Sequence, residues 1–198
     1  NRISKIVSEV DARLIVDVTQ ELGARSVDVG DWNADAVVCS GYKWLGGHGG
    51  AALAAMSPRL LENAPPMTGW MGAPEPFNFD AKSLRLANDA RRYTQSTMSY
   101  VSIACLTTAI EQLLTCGIQN IENHADKLAI ILTERAAEHG WIPYRSPFDS
   151  TACSHIVSLS HAEKPIEETI KALATRKIIC GRSEERRVGK ECKSRLAA

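Results

Sequence analysis

The segment from Ala34 to Gly50 reads Ala-Asp-Ala-Val-Val-Cys-Ser-Gly-Tyr-Lys-Trp-Leu-Gly-Gly-His-Gly-Gly. Its apolar run, Ala36 to Cys39, has the length and β-branching of a buried strand, and turn residues follow at once. Lys43 therefore comes just after a predicted strand end, between two aromatic residues and ahead of glycines that permit positive φ and close backbone approach. We expect these aromatics to desolvate its amine partly, which lets Lys43 act as a nucleophile or base. The alternative is an ordinary solvated lysine in a connecting turn.

A second apolar run lies upstream, from Leu14 to Val18, and it carries Asp17 near its end and Gln20 shortly after it. A carboxylate at the end of a buried strand is costly unless a cation or hydrogen-bond donors meet it. Two parallel strands ending side by side would bring Asp17 and Lys43 to the carboxyl edge of a sheet, where open α/β folds bind their ligands.

These two motifs, Asp-x-x-Gln and Ser-Gly-Tyr-Lys-Trp-Leu-Gly-Gly, resemble the class V aminotransferase family. That family consists of fold type I pyridoxal-phosphate enzymes and includes cysteine desulfurases, isopenicillin-epimerase-like proteins and kynureninases. The resemblance runs from about Asp11 to Gly181. It implies an α/β fold in which residues 1–117 form part of a large, mostly parallel-sheet domain and residues 118–181 form a small C-terminal α/β domain.

The resemblance also implies roles for individual residues. Lys43 matches the lysine that forms a Schiff base with pyridoxal phosphate and then shuttles the α-proton of an amino-acid substrate. Asp17 matches the aspartate that bonds the pyridine nitrogen, and Gln20 the residue that faces the ring hydroxyl. Ser40 matches a phosphate ligand. Tyr42 stands where many relatives have a phosphate-binding histidine, and it is either a donor to the phosphate or a packing aromatic.

A third segment, Arg92 to Ser99, resembles the family's Arg-aromatic-x-x-Gly-Thr motif. The resemblance implies a homodimer in which Thr97 reaches the phosphate of the other subunit's cofactor. Ser96 replaces the motif's glycine. Thr97 or Ser99 is alternatively a cap of the following apolar helix, and both roles can coexist because a helix N-terminus attracts anions.

Periodicity and turn signals predict the remaining elements. Ser57 and Pro58 are typical of a helix start, and Trp70, in a Pro-rich and Gly-rich loop, is interpreted either as a pocket wall or as an anchor of that loop. The predicted helices are Ile3–Val10, Tyr100–Leu114, Ile121–His139 and Ile166–Ala174, and the further predicted strands are Ala51–Met56, Trp141–Tyr144, His155–Leu159 and Lys177–Cys180.

Composition narrows the class of protein. The 198 residues carry no net charge and 44% are hydrophobic, which favours a globular core and argues against nucleic acid or a membrane as partner. The six cysteines are interpreted as free, mostly packed thiols of a reducing compartment, hence the cytoplasm. The histidines lack metal-ligand spacing, so no metal is expected.

Residues 182–198 differ from everything before them, being charged and aperiodic. The segment resembles the conceptual translation of a sequencing adapter, and we expect the native sequence to end near Gly181. A basic solvated tail is the alternative. The family resemblance further implies a preceding N-terminal half and a following arginine for the substrate carboxylate, so the chain is expected to be a fragment.

The predicted function is that of a pyridoxal-phosphate-dependent enzyme acting on a small amino acid, as an aminotransferase or an epimerase-like enzyme. A cysteine desulfurase or lyase of the same family is the alternative. Gln20 argues against a kynureninase, whose motif usually has histidine there. A hypothesis of a different class is a cofactor-free structural or interaction fragment.

Overall fold

The computed structural model describes residues 2–78, 82–83, 85–145 and 155–181. The predicted tail, residues 182–198, lies outside them, so its interpretation as non-native stays a prediction. The chain divides into two compact units, of which the first ends at Lys127 and the second begins at Leu128.

The first unit is built on a three-stranded sheet. Its strands are β1 (Ile15–Asp17), β2 (Ala36–Ser40) and β3 (Ala52–Met56), in the order β1-β2-β3. The first pair is parallel, with Asp17 opposite Val38, and the second pair is antiparallel. The three predicted strands and the parallel pairing of the two motif strands are therefore confirmed, with β2 at the centre.

A buried carboxylate holds the beginning of this sheet together. Asp35, directly before β2, is 3% exposed. Its Oδ2 accepts a 2.8 Å hydrogen bond from the backbone N–H of Leu14, and its Oδ1 lies 3.6 Å from Arg59 and 3.9 Å from Arg13. These partners compensate a charge that would be costly to bury alone. Asp35 thus aligns the starts of β1 and β2.

Two short helices belong to the same unit as the sheet. Helix α1 (Arg2–Glu9) ends where Asp11 adopts a left-handed conformation with φ 49°. Helix α2 (Pro58–Leu61) begins as predicted, because the Ser57 hydroxyl accepts a 3.2 Å hydrogen bond from the Leu60 N–H. In the described part of the chain, single turns of 3-10 helix lie in the connections at Gly30–Trp32, Trp70–Gly72, Pro76–Asn78 and Ala90–Tyr93.

Two long helices follow, α3 (Tyr100–Cys116) and α4 (Ile118–Glu138), separated by Gly117 with φ 80°. Near the start of α4, Glu122 accepts hydrogen bonds from Arg25 Nε at 2.9 Å and from the Ser26 N–H at 3.2 Å. These bonds tie the first turns of α4 to the sheet unit, and the two compact units divide inside α4. The domain boundary after residue 117 stays a prediction.

Among the described residues, no single helix is long and apolar enough to cross a membrane. Only α3 and α4 taken together, with a 74° bend between them, meet the criteria of length and composition.

The second unit contains a two-stranded antiparallel ladder and a helix. The strands are β4 (Ile142–Pro143) and β5 (Leu159–Ser160), which are shorter than predicted, and the helix is α5 (Ile166–Thr175). Next to the ladder, the His161 ring meets Trp141 edge-on at 5.1 Å, and its Nδ1 accepts hydrogen bonds from the N–H groups of Glu163 and Lys164. His161 therefore has a structural role.

The predicted strand Lys177–Cys180 is wrong, because this backbone closes helix α5 instead. Lys177 is left-handed with φ 60°. Its N–H donates to the Ala174 carbonyl at 2.9 Å, and the Ile178 N–H donates to the Leu173 carbonyl at 3.0 Å. This is the Schellman pattern of a helix end.

Candidate active site

Asp17 ends β1 with its carboxylate exposed. The carboxylate oxygen Oδ1 accepts a 2.8 Å hydrogen bond from the backbone N–H of Thr19. The pKa of Asp17 lies below its usual range, first because of the Thr19 hydroxyl, then because of the Thr19 N–H, with a smaller contribution from the charge of Lys43. Asp17 therefore meets the donors that a strand-end carboxylate needs, and neutral groups of Thr19 supply most of the effect.

Lys43 lies in a backbone-bonded turn after β2. The N–H of Gly46 donates to the Lys43 carbonyl, and the N–H of Gly47 donates to that of Gly41, both at 2.9 Å. The amine Nζ is 5.9 Å from the centroid of the Tyr42 ring. Asp17 ends β1 and Lys43 follows β2, which pairs with β1 in parallel, so the two residues lie at the same edge of the sheet.

The prediction that two aromatics desolvate Lys43 is wrong for the described residues. The side chains of Lys43, Tyr42 and Trp44 are all exposed, Tyr42 to 58% and Trp44 to 40%. The reason is that the turn packs through its backbone and through Leu45, which is 4% exposed, so the neighbouring side chains point outward.

Three glycines near Lys43 are required by packing. A Cβ atom on Gly41 or Gly47 would lie 2.9 Å from a methyl group of Leu106 in α3, and a Cβ atom on Gly23 would lie 2.7 Å from the Trp44 carbonyl oxygen. Gly46 has φ 71°. The expectation of positive φ and close backbone approach is confirmed. The turn from Gly41 to Gly47, which carries Lys43, is held between α3 and the turn after β1.

Thr97 is exposed and lies just ahead of α3. The other predicted cap, Ser99, makes no side-chain hydrogen bond to the helix backbone, because its hydroxyl bonds instead to the Ser102 hydroxyl at 2.8 Å. Ser99 is therefore not a capping side chain, although its carbonyl accepts from the Ile103 N–H at 3.0 Å.

The residues that open the third motif hold helix α2. Arg92 donates from Nε to the Ala87 carbonyl at 2.8 Å and from Nη1 to the Leu61 carbonyl. The Tyr93 hydroxyl donates to the Leu60 carbonyl at 3.2 Å. This part of the motif is thus structural in the described residues.

Trp70 lies in the loop before that motif and meets Phe77 edge-on, with 5.7 Å between ring centroids. It lines an open cavity of about 290 Å³ whose charged lining groups are Glu75 and Arg85. Trp70 thus contacts another loop aromatic and forms a wall of this cavity, and its interpretation as a wall of the substrate pocket stays a prediction.

The four described cysteines differ in their exposure to solvent. Cys39 in β2 is 2% exposed, and its pKa is raised first by burial and then by the negative charge of Asp17. Cys105, Cys116 and Cys180 are exposed free thiols, so the expectation of mostly packed cysteines is wrong for the four described. Cys153 and Cys192 lie outside the described residues.

Sequence reasoning assigned no role to Thr19, which is buried beside the site with 7% exposure. Its hydroxyl oxygen accepts a 2.9 Å hydrogen bond from the Ser40 N–H, so it joins the ends of the two motif strands. The available signal was a hydroxyl residue between Asp17 and Gln20 at a strand end, where such side chains commonly bond backbone groups.

The five predicted residues Asp17, Gln20, Ser40, Tyr42 and Lys43 all lie at or just beyond the carboxyl ends of two paired parallel strands. Thr97 lies on another segment, before α3. The model of the family described as aminotransferase class-V matches residues 1–197. The chain belongs to the class V aminotransferase family. Its cofactor is accordingly pyridoxal 5'-phosphate.

This class V aminotransferase family member matches only part of the length of each relative. An uncharacterised aminotransferase of Schizosaccharomyces pombe is 30% identical over 135 residues, which are 64% of this chain and 33% of the relative. A kynureninase of Deinococcus radiodurans is 35% identical over 111 residues, 54% of this chain and 27% of the relative. The chain thus spans about a third of the curated relatives it matches.

A solved structure confirms the fold. The cysteine desulfurase of Thermococcus onnurineus superimposes with a TM-score of 0.76 over 89% of this chain and 43% of its own, at 21% identity. The predicted fold type I architecture is therefore confirmed, as a mixed α/β structure whose sheet contains a parallel pair.

The residues present fit the cofactor chemically. An ionised carboxylate, Asp17, suits a protonated ring nitrogen, and an exposed primary amine, Lys43, suits an aldehyde. Both groups are accessible at one sheet edge.

Proposed function

We propose that this chain contributes the lysine and the ring-binding aspartate of a pyridoxal-phosphate-dependent enzyme that acts on a small amino acid. The observation that carries the proposal is the placement of Lys43 and an ionised Asp17 at the carboxyl edge of two parallel strands. Ligands of open α/β sheets bind at this edge.

Each residue has a distinct role in the proposal. Lys43 holds the cofactor through its amine and moves a proton between its Nζ and the Cα of the substrate. Asp17 accepts a hydrogen bond from the ring nitrogen and keeps that nitrogen protonated. Pyridoxal phosphate, when bound, supplies an electron sink for the charge that develops at Cα.

The remaining residues orient the cofactor. Gln20 lies in the turn after β1 and would face the ring hydroxyl of the cofactor, while Ser40 and Tyr42, on either side of Gly41, would donate to its phosphate. Thr97 reaches the phosphate in a second copy of the chain, which makes the enzyme a homodimer. Its exposure ahead of α3 leaves the hydroxyl accessible for such a contact.

Covalent trapping tests the central proposal. The protein carrying this chain is incubated with pyridoxal phosphate, reduced with borohydride and mapped by peptide mass spectrometry. We expect a pyridoxyl group on Lys43, its loss in Lys43→Ala, and its retention in the control Lys171→Ala, an exposed lysine of α5. Labelling that is equal in wild type and Lys43→Ala would refute the role of Lys43, and no labelling in either would favour a cofactor-free structural domain.

Transamination is the proposed reaction, supported by the similarity to the uncharacterised aminotransferase of Schizosaccharomyces pombe. An epimerase-like reaction on the same amino acid is the second form of this proposal. Desulfuration is the alternative, although the desulfurase likeness at 21% identity concerns the fold.

Product analysis of the same enzyme separates these reactions. Transamination gives an oxo acid and requires an amino acceptor. Epimerisation changes only the optical rotation. Desulfuration of cysteine gives alanine and transfers the sulfur to a thiol acceptor as a persulfide, from which an added dithiol reductant releases sulfide. A kynureninase assay is included because two kynureninases are among the relatives, and activity there would contradict the interpretation of Gln20.

A further inference from the structure

We infer that Thr19 is a positioning residue that fixes the Asp17 carboxylate and the end of β2 in one arrangement through its hydroxyl and its backbone N–H. The inference adds a residue to the proposed site and rests on the proposed function for its catalytic meaning. The hydrogen bonds on which it rests are those of Thr19 with Asp17 and Ser40.

Thr19 forms hydrogen bonds to residues of both motif strands. Its N–H donates to Asp17 Oδ1 at 2.8 Å, and its Oγ1 accepts from the Ser40 N–H at 2.9 Å. The Thr19 hydroxyl also lowers the pKa of Asp17. A threonine hydroxyl has one donor and two acceptor positions, so accepting from Ser40 leaves its proton for Asp17.

The Thr19 hydroxyl replaces the carbonyl that would accept from the Ser40 N–H in a regular strand ladder. The Val18 N–H donates to the Val38 carbonyl at 2.9 Å, as in a parallel ladder. In a continued ladder the Ser40 N–H would donate to the Val18 carbonyl. That carbonyl instead accepts from the N–H groups of Glu21 and Leu22, both at 2.9 Å.

The exchange lets the chain turn without losing a strand contact. Because the Thr19 hydroxyl takes over the Ser40 N–H, the Val18 carbonyl is released to close the turn that carries Gln20. The ends of the two strands stay joined at the point where Asp17 and Ser40 present their functional groups.

Thr19 is buried beside an exposed carboxylate. Thr19 is 7% exposed, whereas Asp17 is exposed. A buried hydroxyl held by a backbone donor cannot swing away, so the carboxylate it binds keeps one orientation and the ionised form. Asp17 is thereby prepared for a cationic N–H donor before any ligand arrives.

The test uses the whole protein without cofactor and follows two signals by NMR. These are the carboxyl ¹³C shift of Asp17 against pH and the exchange rate of the Ser40 amide. Thr19→Val keeps the shape and removes the hydroxyl. We expect the pKa of Asp17 to rise toward the ordinary value of about 3.9 and the Ser40 amide to exchange about tenfold faster, as for one lost hydrogen bond.

Three further variants keep the test decisive. Thr19→Ser retains the hydroxyl and is expected to restore both signals. Thr133→Val removes another buried hydroxyl, one that bonds within α4, and is expected to change neither signal. Thr19→Ala leaves space for a water at the Ser40 N–H, so it gives the Asp17 measurement if Thr19→Val does not fold.

The outcomes separate this inference from the proposed function. An Asp17 titration that is the same in wild type, Thr19→Val and Thr19→Ala would overturn the inference whether or not the protein binds cofactor. A shifted Asp17 titration in a protein whose wild type takes no pyridoxyl label would uphold the inference and refute the proposed function.

Discussion

The hydroxyl of Ser102 donates a 2.8 Å hydrogen bond to the carbonyl oxygen of Gly49. The two residues are 53 positions apart, and their bond ties the first turn of α3 to the glycine turn after Lys43. Ser102 is 5% exposed and also bonds to Ser99. The N-terminus of a long helix is thus held against the turn that carries the proposed catalytic lysine.

Replacement of Ser102 by alanine is expected to lower the free energy of unfolding by about 1 to 3 kcal/mol, because the Gly49 carbonyl loses its partner in a partly buried site. Urea unfolding measures the change. Thr107→Ala on the same helix is the control, since Thr107 is exposed and bonds only the Ile103 carbonyl one turn back. Equal effects of both substitutions would contradict the importance of the Ser102 contact.

Two glycines after Lys43 are expected to differ in their response to substitution by alanine. At Gly47 a Cβ atom would lie 2.9 Å from Leu106 Cδ1 and 3.0 Å from the Gly41 carbonyl, whereas at Gly49 nothing lies within 4 Å. We expect Gly47→Ala to destabilise by about 1 to 3 kcal/mol through overpacking, and Gly49→Ala to stay within about 0.5 kcal/mol of wild type. Thermal melting compares the two, and a tolerated Gly47→Ala would show that α3 can move away from the turn.

The lowered pKa of Asp17 predicts a pH dependence of stability. Its stabilising contribution is fully present above the ordinary aspartate pKa of about 3.9 and is lost as the pH falls through the lower pKa of the folded protein. The difference in urea midpoint between wild type and Asp17→Asn should therefore be constant near neutral pH and decrease below about pH 4. A difference that grows on acidification would have the wrong sign for these hydrogen bonds.

Thiol labelling tests the burial of β2. In the native protein Cys105, Cys116 and Cys180 are exposed, while Cys39 is buried and its pKa is raised. The thiolate is the reactive form, so iodoacetamide should modify the three exposed cysteines well before Cys39. Peptide mass spectrometry gives the four rates, and urea-denatured protein serves as the control in which the difference disappears. Rapid native labelling of Cys39 would mean that β2 opens readily.

Much of the fold could be predicted because local signals agreed with it. The strands around Val16 and Val37 follow from short β-branched runs, and the start of α2 follows from Ser57 and Pro58. The backbone after α5 was misassigned as a strand because Ile178 and Ile179 have β propensity. Closure of the helix by Lys177 in the left-handed conformation overrides that propensity.

The candidate site was predictable to the extent that its residues follow strand ends. Asp17 and Lys43 were found from their position after apolar runs, and parallel pairing brings them to one edge. The exposure of Lys43 could not be predicted, since neighbouring aromatics in a sequence do not specify which way their rings point. The structure turns Tyr42 and Trp44 outward because the backbone of the turn packs on α3.

Sequence alone established the family motifs and the strand ends, because these depend on residues that are neighbours along the chain. Tertiary structure alone established the hydroxyl of Thr19 as the partner of Ser40 and the bond from Ser102 to Gly49. Those contacts join residues 21 and 53 positions apart. A hydroxyl has several possible partners, and only the packed chain selects one of them.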